Sequence, residues 1–165
     1  MAPLTFKNTP ITTVGELPAK DSALPAFELV GQDLGAVSSA DLAGKRVVLN
    51  IFPSVDTGTC AMSVRKFNEL AAGLENTAVV CVSQDLPFAQ ARFCGAEGLE
   101  NVVTGSAFRS SFGEDFGVTM VDGPLAGLLS RAVVITDENG TVIHTEHVAE
   151  VSEEPDYEAA RAALA

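Results

Sequence analysis

Apolar positions in this chain fall into short runs whose spacing switches between strand-like and helical, and each switch marks an element. The pieces LTFK and ITTV, set around Asn8 and Pro10, predict an N-terminal β-hairpin. FELV at 27 to 30 follows as an extended piece, turning through Gly31 and Asp33. SSADLAGKR then supplies one capped helical turn that stops at Gly44. The run VVLNIF, 47 to 52, is apolar almost without a break, the pattern of a strand covered on both faces.

From Thr57 onward the period becomes helical. Cys60, Val64, Phe67, Ala71 and Leu74 recur every three or four residues, whereas Arg65, Lys66 and Glu69 fall on the opposite side. Cys60 therefore opens the buried stripe of an amphipathic helix. TAVVCVS, 77 to 83, predicts a second buried strand, after which Asp85 caps a helix through LPFAQARFCGAEG with Pro87 in its first turn. A short ENVVTG strand and a brief helix around SAFRSSFGEDFG come next. AVVIT and TVIHTEH flank DENG, whose Asn139-Gly140 pair signals a hairpin. PDYEAARAALA closes the chain as a helix, with Pro155 near its start and acidic residues in its first turn.

The resulting order is β–α–β–α–β–α–β–β–α behind an N-terminal hairpin. Such a string predicts an α/β fold in which helices layer a mixed sheet, parallel where helices intervene and antiparallel at the last hairpin. At 165 residues the chain fits one domain, 1–165, large enough to bury ~70% of the surface its unfolded form exposes. No repeat, low-complexity tract or linker divides it.

Composition narrows the partners. Acidic residues outnumber basic ones 22 to 10, and a formal charge of −12 with no basic cluster argues against nucleic acid and against an anionic membrane surface. No apolar run reaches the roughly 18 residues of a membrane span. The start MAPLTFKNTPITTVGELP lacks the basic and apolar blocks of a secretory signal, and three cysteines make a poor disulfide framework, so a cytoplasmic setting is expected. Cysteine here is chemistry or core.

The stretch PSVDTGTC places Cys60 in a first helical turn, where unpaired N–H groups and the positive end of the helix dipole favour an anion such as a thiolate. A free thiol with a pKa of about 8.5 is mostly protonated at neutral pH, so the position has a chemical use. Thr57 stands where the first cysteine of a C-x-x-C pair would stand. A hydroxyl cannot close a disulfide, but it can hydrogen-bond a thiolate or an oxygen held beside it. On spacing alone, Cys60 reads equally well as a packing residue at the start of an apolar stripe.

The same stretch resembles the P-x-x-x-T-x-x-C active-site loop of the peroxiredoxins. LNIFPSVDTGTCAMSVRKFN, SQDLPFAQARFCGAEG, DGPLAGLLSRAVVI and EPDYEAA together resemble the bacterial thiol peroxidase branch, the atypical two-cysteine type, over nearly the whole chain. The resemblance implies a thioredoxin-like fold with an N-terminal hairpin extension. It also implies reduction of hydroperoxides without metal or organic cofactor, thioredoxin as reductant, and a homodimer. Cys60 would be the peroxidatic cysteine and Cys94 the resolving one, closing an intramolecular disulfide. Pro53 would shield Cys60, Thr57 would bond peroxide and thiolate, and Arg131 would stabilise the thiolate and the charge on the departing oxygen.

Other residues have plainer readings. Cys94 could be a packing residue at a helix end, although Gly95 and Gly98 after it suggest an end that can unravel. Cys81, between Val80 and Val82, reads as a buried inert thiol. Arg131 could be a charge at a strand start, since spacing alone cannot bring it to Cys60. His144 and His147 lie three apart in a strand, point to opposite faces and lack a third metal ligand, so both are expected at the surface. Asn139-Gly140-Thr141 matches a glycosylation sequon but is read as a turn. Two rivals to the peroxidase remain: a thiol-based peroxide sensor that passes oxidation to a partner protein, and a non-catalytic interaction domain, against which the intact Pro53, Thr57, Cys60 and Arg131 argue.

Overall fold

A computed structural model describes residues 2–165. β1 (Pro3–Phe6) and β2 (Thr9–Thr12) form the antiparallel hairpin, with Pro3 opposite Thr12. Its two-residue turn needs positive φ at both positions, and Lys7 and Asn8 supply 50° and 66°. The second strand starts two residues before the ITTV run. Thr9 must pair with Phe6 to close so short a turn.

A seven-stranded sheet has the order β4-β3-β7-β6-β5-β8-β9. The strands are β3 (Glu28–Val30), β4 (Ala36–Ser38), β5 (Arg46–Ile51), β6 (Thr77–Ser83), β7 (Val103–Ser106), β8 (Ala132–Thr136) and β9 (Val142–His147). At its centre β5 and β6 run parallel, placing Asn50 beside Cys81, and β7 continues parallel to β6. β8 runs antiparallel to β5, although a helical turn precedes it. The expected rule of parallel pairing across a helix fails there because the four-residue helix α3 (Phe112–Asp115) is too short to carry a crossover. β4 was not anticipated: three residues, AVS, are too few for alternation to show. The mixed sheet, the flanking helices and the added hairpin are as the sequence led one to expect.

The apolar run of β5 packs on both faces. Val47, Leu49 and Ile51 join Phe27, Leu29, Phe112 and Phe116 on one side. Val48 and Phe52 join Cys60, Val64 and Phe67 of α1 (Gly58–Ala71) and Ala160 of α4 (Tyr157–Ala163) on the other. Phe67 is wholly buried, with Tyr157 edge-on to its ring at 5.5 Å between centroids. Truncating it to Ala costs about 3–5 kcal/mol on general experience of such cavities. α1 ends at Ala71, so Leu74 packs from beyond the helix.

α2 (Pro87–Glu97) lies against β7 and carries Cys94 in its last turn. Pro87 opens it as expected, but the N-cap is Leu86 and no side chain caps the helix. Asp85 is drawn elsewhere, to the loop before Cys60. Asp156 caps α4 by accepting from the Ala159 N–H. A third apolar cluster, Leu4, Ile11, Met120 and Val151, seats the N-terminal hairpin beside the mouth of the sheet where α1 begins.

Candidate active site

Cys60 sits at the C-terminal end of β5, across the loop 52–57, as the third residue of α1. Thr57 is the N-cap: its Oγ1 accepts from the Cys60 N–H at 3.2 Å and donates to the Ser54 carbonyl at 3.3 Å. This bond fixes the cysteine backbone in the first helical turn, among the N–H groups that lack intrahelical partners. The Cys60 side chain is fully buried. Ser63 supports it from one turn on, its Oγ donating to the Cys60 carbonyl at 2.8 Å while accepting from Asn50 Nδ2 at 3.2 Å.

Arg131, just before β8, reaches the same point from the neighbouring strand. Its Nη2 donates to Cys60 Sγ at 3.3 Å and its Nε to the Val151 carbonyl at 2.8 Å. The guanidinium is 2% exposed, Nη1 has no partner, and none of the ion pairs among the described residues includes it. A buried cation without a carboxylate is expensive unless an anion arrives. Its one sulfur contact and its free N–H face the chemistry of a thiolate and of an oxygen beside it.

Thr57, Pro53 and Arg131 line a cavity of about 220 Å³ together with Phe6, Leu125 and Val151. The walls are therefore largely apolar, and one comes from the hairpin. Pro53 is buried. That hairpin wall is held by Glu150. Its carboxylate accepts from the N–H groups of Lys7 at 3.1 Å and Asn8 at 2.8 Å, from Thr5 Oγ1 at 3.0 Å, and from the N–H of Ser152 at 2.9 Å. The Asn8 N–H first, then the hydroxyl and N–H of Ser152 and the N–H of Lys7, hold its pKa down at about 2.

The other thiols stand apart. Cys81 is fully buried in β6, and desolvation pushes its pKa up to about 12, against a weaker opposing contact with Asn50 Nδ2 at 3.7 Å. Cys94 is 5% exposed, and burial raises its pKa in turn. All three cysteines are free thiols. His144 and His147 are half-buried on the edge strand β9, where full exposure was expected, and the His147 ring, its pKa lowered by burial, bonds Ser130 Oγ at 2.7 Å. No metal-ligating cluster of His, Cys, Asp and Glu occurs among the described residues.

Sequence reading found Pro53, Thr57 and Cys60 from one motif and assigned Arg131 by resemblance, and the fold brings these four together. It missed Asn50 and Ser63 behind the cysteine, though a lone Asn within VVLNIF was a signal, and it missed Glu150, which carries none.

Comparison with known proteins gives this arrangement its class. Residues 18–160 match the Redoxin family model. A thiol peroxidase of Mycobacterium tuberculosis H37Rv is 62% identical over 164 residues, 99% of each chain, and one of Corynebacterium glutamicum is 59% identical over the same span. The crystal structure of a peroxiredoxin-like protein from Aquifex aeolicus superposes with a TM-score of 0.94 at 36% identity, covering 99% of this chain and 96% of that one. The chain belongs to the Redoxin family and has its thioredoxin-like fold. Within it, its place is among the thiol peroxidases, enzymes of thiol-dependent peroxide reduction.

Proposed function

We propose that the chain, as one domain, reduces hydrogen peroxide and organic hydroperoxides with Cys60 as the peroxidatic cysteine, Cys94 as the resolving cysteine and thioredoxin as the reductant. The observation that carries this reading is the bond from the buried, otherwise uncompensated Arg131 guanidinium to Cys60 Sγ at 3.3 Å. A positive charge fixed there favours the thiolate and the negative charge that grows on the departing oxygen.

In the first step the Cys60 thiolate attacks one peroxide oxygen. The S–O bond forms as the O–O bond breaks, and the departing alkoxide or hydroxide takes a proton to leave as alcohol or water. Thr57 and Arg131 hold the peroxide in line, and Pro53 keeps bulk water from the sulfur. The product is the Cys60 sulfenic acid. The Cys94 thiolate then attacks that sulfur, the S–S bond forms, and the hydroxyl leaves with a proton as water. A thioredoxin dithiol exchanges with this disulfide, becoming oxidised as both thiols are restored.

Both thiols are buried on different helices, so closing an S–S bond of about 2.05 Å needs local movement. The apolar walls of the cavity suit the carbon chain of an organic hydroperoxide. The homodimer is supported by Leu86, Phe88 and Phe108, which are exposed around the turn before α2 and give a second copy an apolar surface to cover. No helix among the described residues is long and apolar enough to cross a membrane, and a cytoplasmic setting is the one proposed for a reaction fed by thioredoxin.

The test is NADPH oxidation coupled through thioredoxin reductase and thioredoxin with cumene hydroperoxide, comparing the native protein with Cys60→Ser. Rapid oxidation that vanishes in the variant supports the reading. Equal, slow rates from folded and fully reduced protein reject it.

A further inference from the structure

Asp85 lies between β6 and α2, yet its carboxylate serves neither as a cap nor in an ion pair among the described residues. Oδ1 accepts from Ser54 Oγ at 2.7 Å, and Oδ2 accepts from the Val55 N–H at 2.8 Å and from Ser83 Oγ at 2.6 Å. Two of these donors belong to the loop that leads into Cys60. From Ser54 the connection runs on through its carbonyl to the Thr57 hydroxyl and so to the Cys60 N–H.

The third donor leads the other way. Ser83 Oγ accepts from Gln90 Nε2 at 3.0 Å, and the same Nε2 also donates to the Gly105 carbonyl at 3.2 Å. Gln90 is fully buried and stands one helical turn before Cys94, on the same face of α2. The Asp85 carbonyl in turn accepts from Ser106 Oγ at the end of β7. A single carboxylate thus joins the loop of one cysteine to the helix of the other. Hydrogen bonds to an ionised acceptor are the stronger kind, and these are partly withdrawn from solvent.

We propose that Asp85 is a positioning residue for both halves of the redox cycle: by fastening the Ser54–Val55 loop to the start of the Cys94 helix, it holds the arrangement in which Cys60 meets peroxide and restrains the movement that closes the disulfide. It touches neither sulfur. Its loss should slow the first step and quicken the second.

The inference rests on Cys94 being the resolving cysteine, so peptide mapping of the peroxide-treated native protein comes first. Absence of a Cys60–Cys94 disulfide there rejects that assignment and the inference with it. Given the disulfide, rapid-mixing experiments on native protein, Asp85→Ala and Ser54→Ala measure two rates: oxidation of Cys60 by cumene hydroperoxide, and first-order disulfide closure after a peroxide pulse. Asp85→Ala is expected to lower the first by about tenfold or more, the equivalent of losing one charge-assisted bond, and to raise the second several-fold. Ser54→Ala removes one of the three bonds to the Asp85 carboxylate, along with the bond its Oγ accepts from the Asp56 N–H at 3.1 Å, so it should move both rates in the same directions by less, and it carries the test if Asp85→Ala does not fold. A general loosening of the fold would lower both rates together. That result, or any pattern other than opposite changes, overturns the role of Asp85 while leaving Cys94 as the resolving cysteine.

Discussion

Arg131 Nη2 and Cys60 Sγ lie 3.3 Å apart although 71 residues separate them in the chain. The pairing of β5 with β8 makes the contact possible: Ile51 lies opposite Ala132, so the loop leaving β5 and the residue entering β8 share one end of the sheet. A planar guanidinium satisfies the Val151 carbonyl and the sulfur at once through different nitrogens. A lysine ammonium offers a single point charge on a flexible stem and cannot reproduce that fork. Arg131→Lys is therefore expected to lower kcat/KM for peroxide by about ten- to a hundredfold, the value of one charge-assisted bond. Rapid-mixing kinetics of Cys60 oxidation read the loss directly; a rate within a factor of about two of native would show that charge alone suffices.

Cys94→Ser should still consume close to one equivalent of peroxide per chain, because the first step does not use Cys94, and should then turn over poorly with thioredoxin. Peroxide consumed in a single pulse, followed by steady-state assay of the same sample, separates the two. Full turnover in this variant would refute the intramolecular disulfide.

Cys81 should stay out of the chemistry. A thiol whose pKa is pushed up to about 12 by complete burial has almost no thiolate at neutral pH, and thiolate is the reacting form. Alkylation with iodoacetamide at pH 8, followed by peptide mapping, should leave Cys81 unmodified in the folded protein. Cys81→Ala should retain peroxidase turnover while lowering the melting temperature through the cavity it leaves.

Glu150 makes the hairpin wall sensitive to acid. Its folded pKa of about 2 lies below the ordinary 4.5, so the stability it contributes is complete above 4.5 and is lost as pH falls through 2. Hydrogen exchange of the amides in residues 3–12 should accelerate across that window. Glu150→Gln should bring the same acceleration at pH 7, since a neutral amide has one acceptor oxygen where the carboxylate has two. Unchanged exchange in the variant would show that the apolar seat of Leu4 and Ile11 is enough to hold the hairpin.

The sequence was most readable where burial imposes a period. TAVVCVS matches β6 residue for residue, and the stripe from Cys60 to Ala71 is the buried side of α1 because the central strands and their main helix leave no other register. It was least readable where polar side chains choose among partners. Asp85 looks like a helix cap because Asp at that position usually is one, but Ser54, Val55 and Ser83 offer it three donors and the cap loses. In the same way nothing local says that Glu150 serves a turn more than 140 residues away, or that Arg131 ends at a sulfur. The P-x-x-x-T-x-x-C loop was legible because its spacing is fixed by one turn, whereas the guanidinium across from it depends on strand order, which no short window contains.

The way α2 ends bears on how much of the molecule must move in each cycle. The Cys94 carbonyl accepts from the N–H groups of Gly98 and Leu99, with Gly98 left-handed at a φ of 65°. Gly95 to Gly98 are all exposed. This turn carries one buried side chain, Cys94 itself, between Phe93 and Leu99, which pack against the cluster that β5 shares with α1, whereas the cluster on the other face of β5 takes no residue from it. On the proposed mechanism, oxidation asks a few amides at the rim to rearrange, while the packing of β5 against Phe27, Phe112 and Phe116 can be the same solid whichever way the electrons stand.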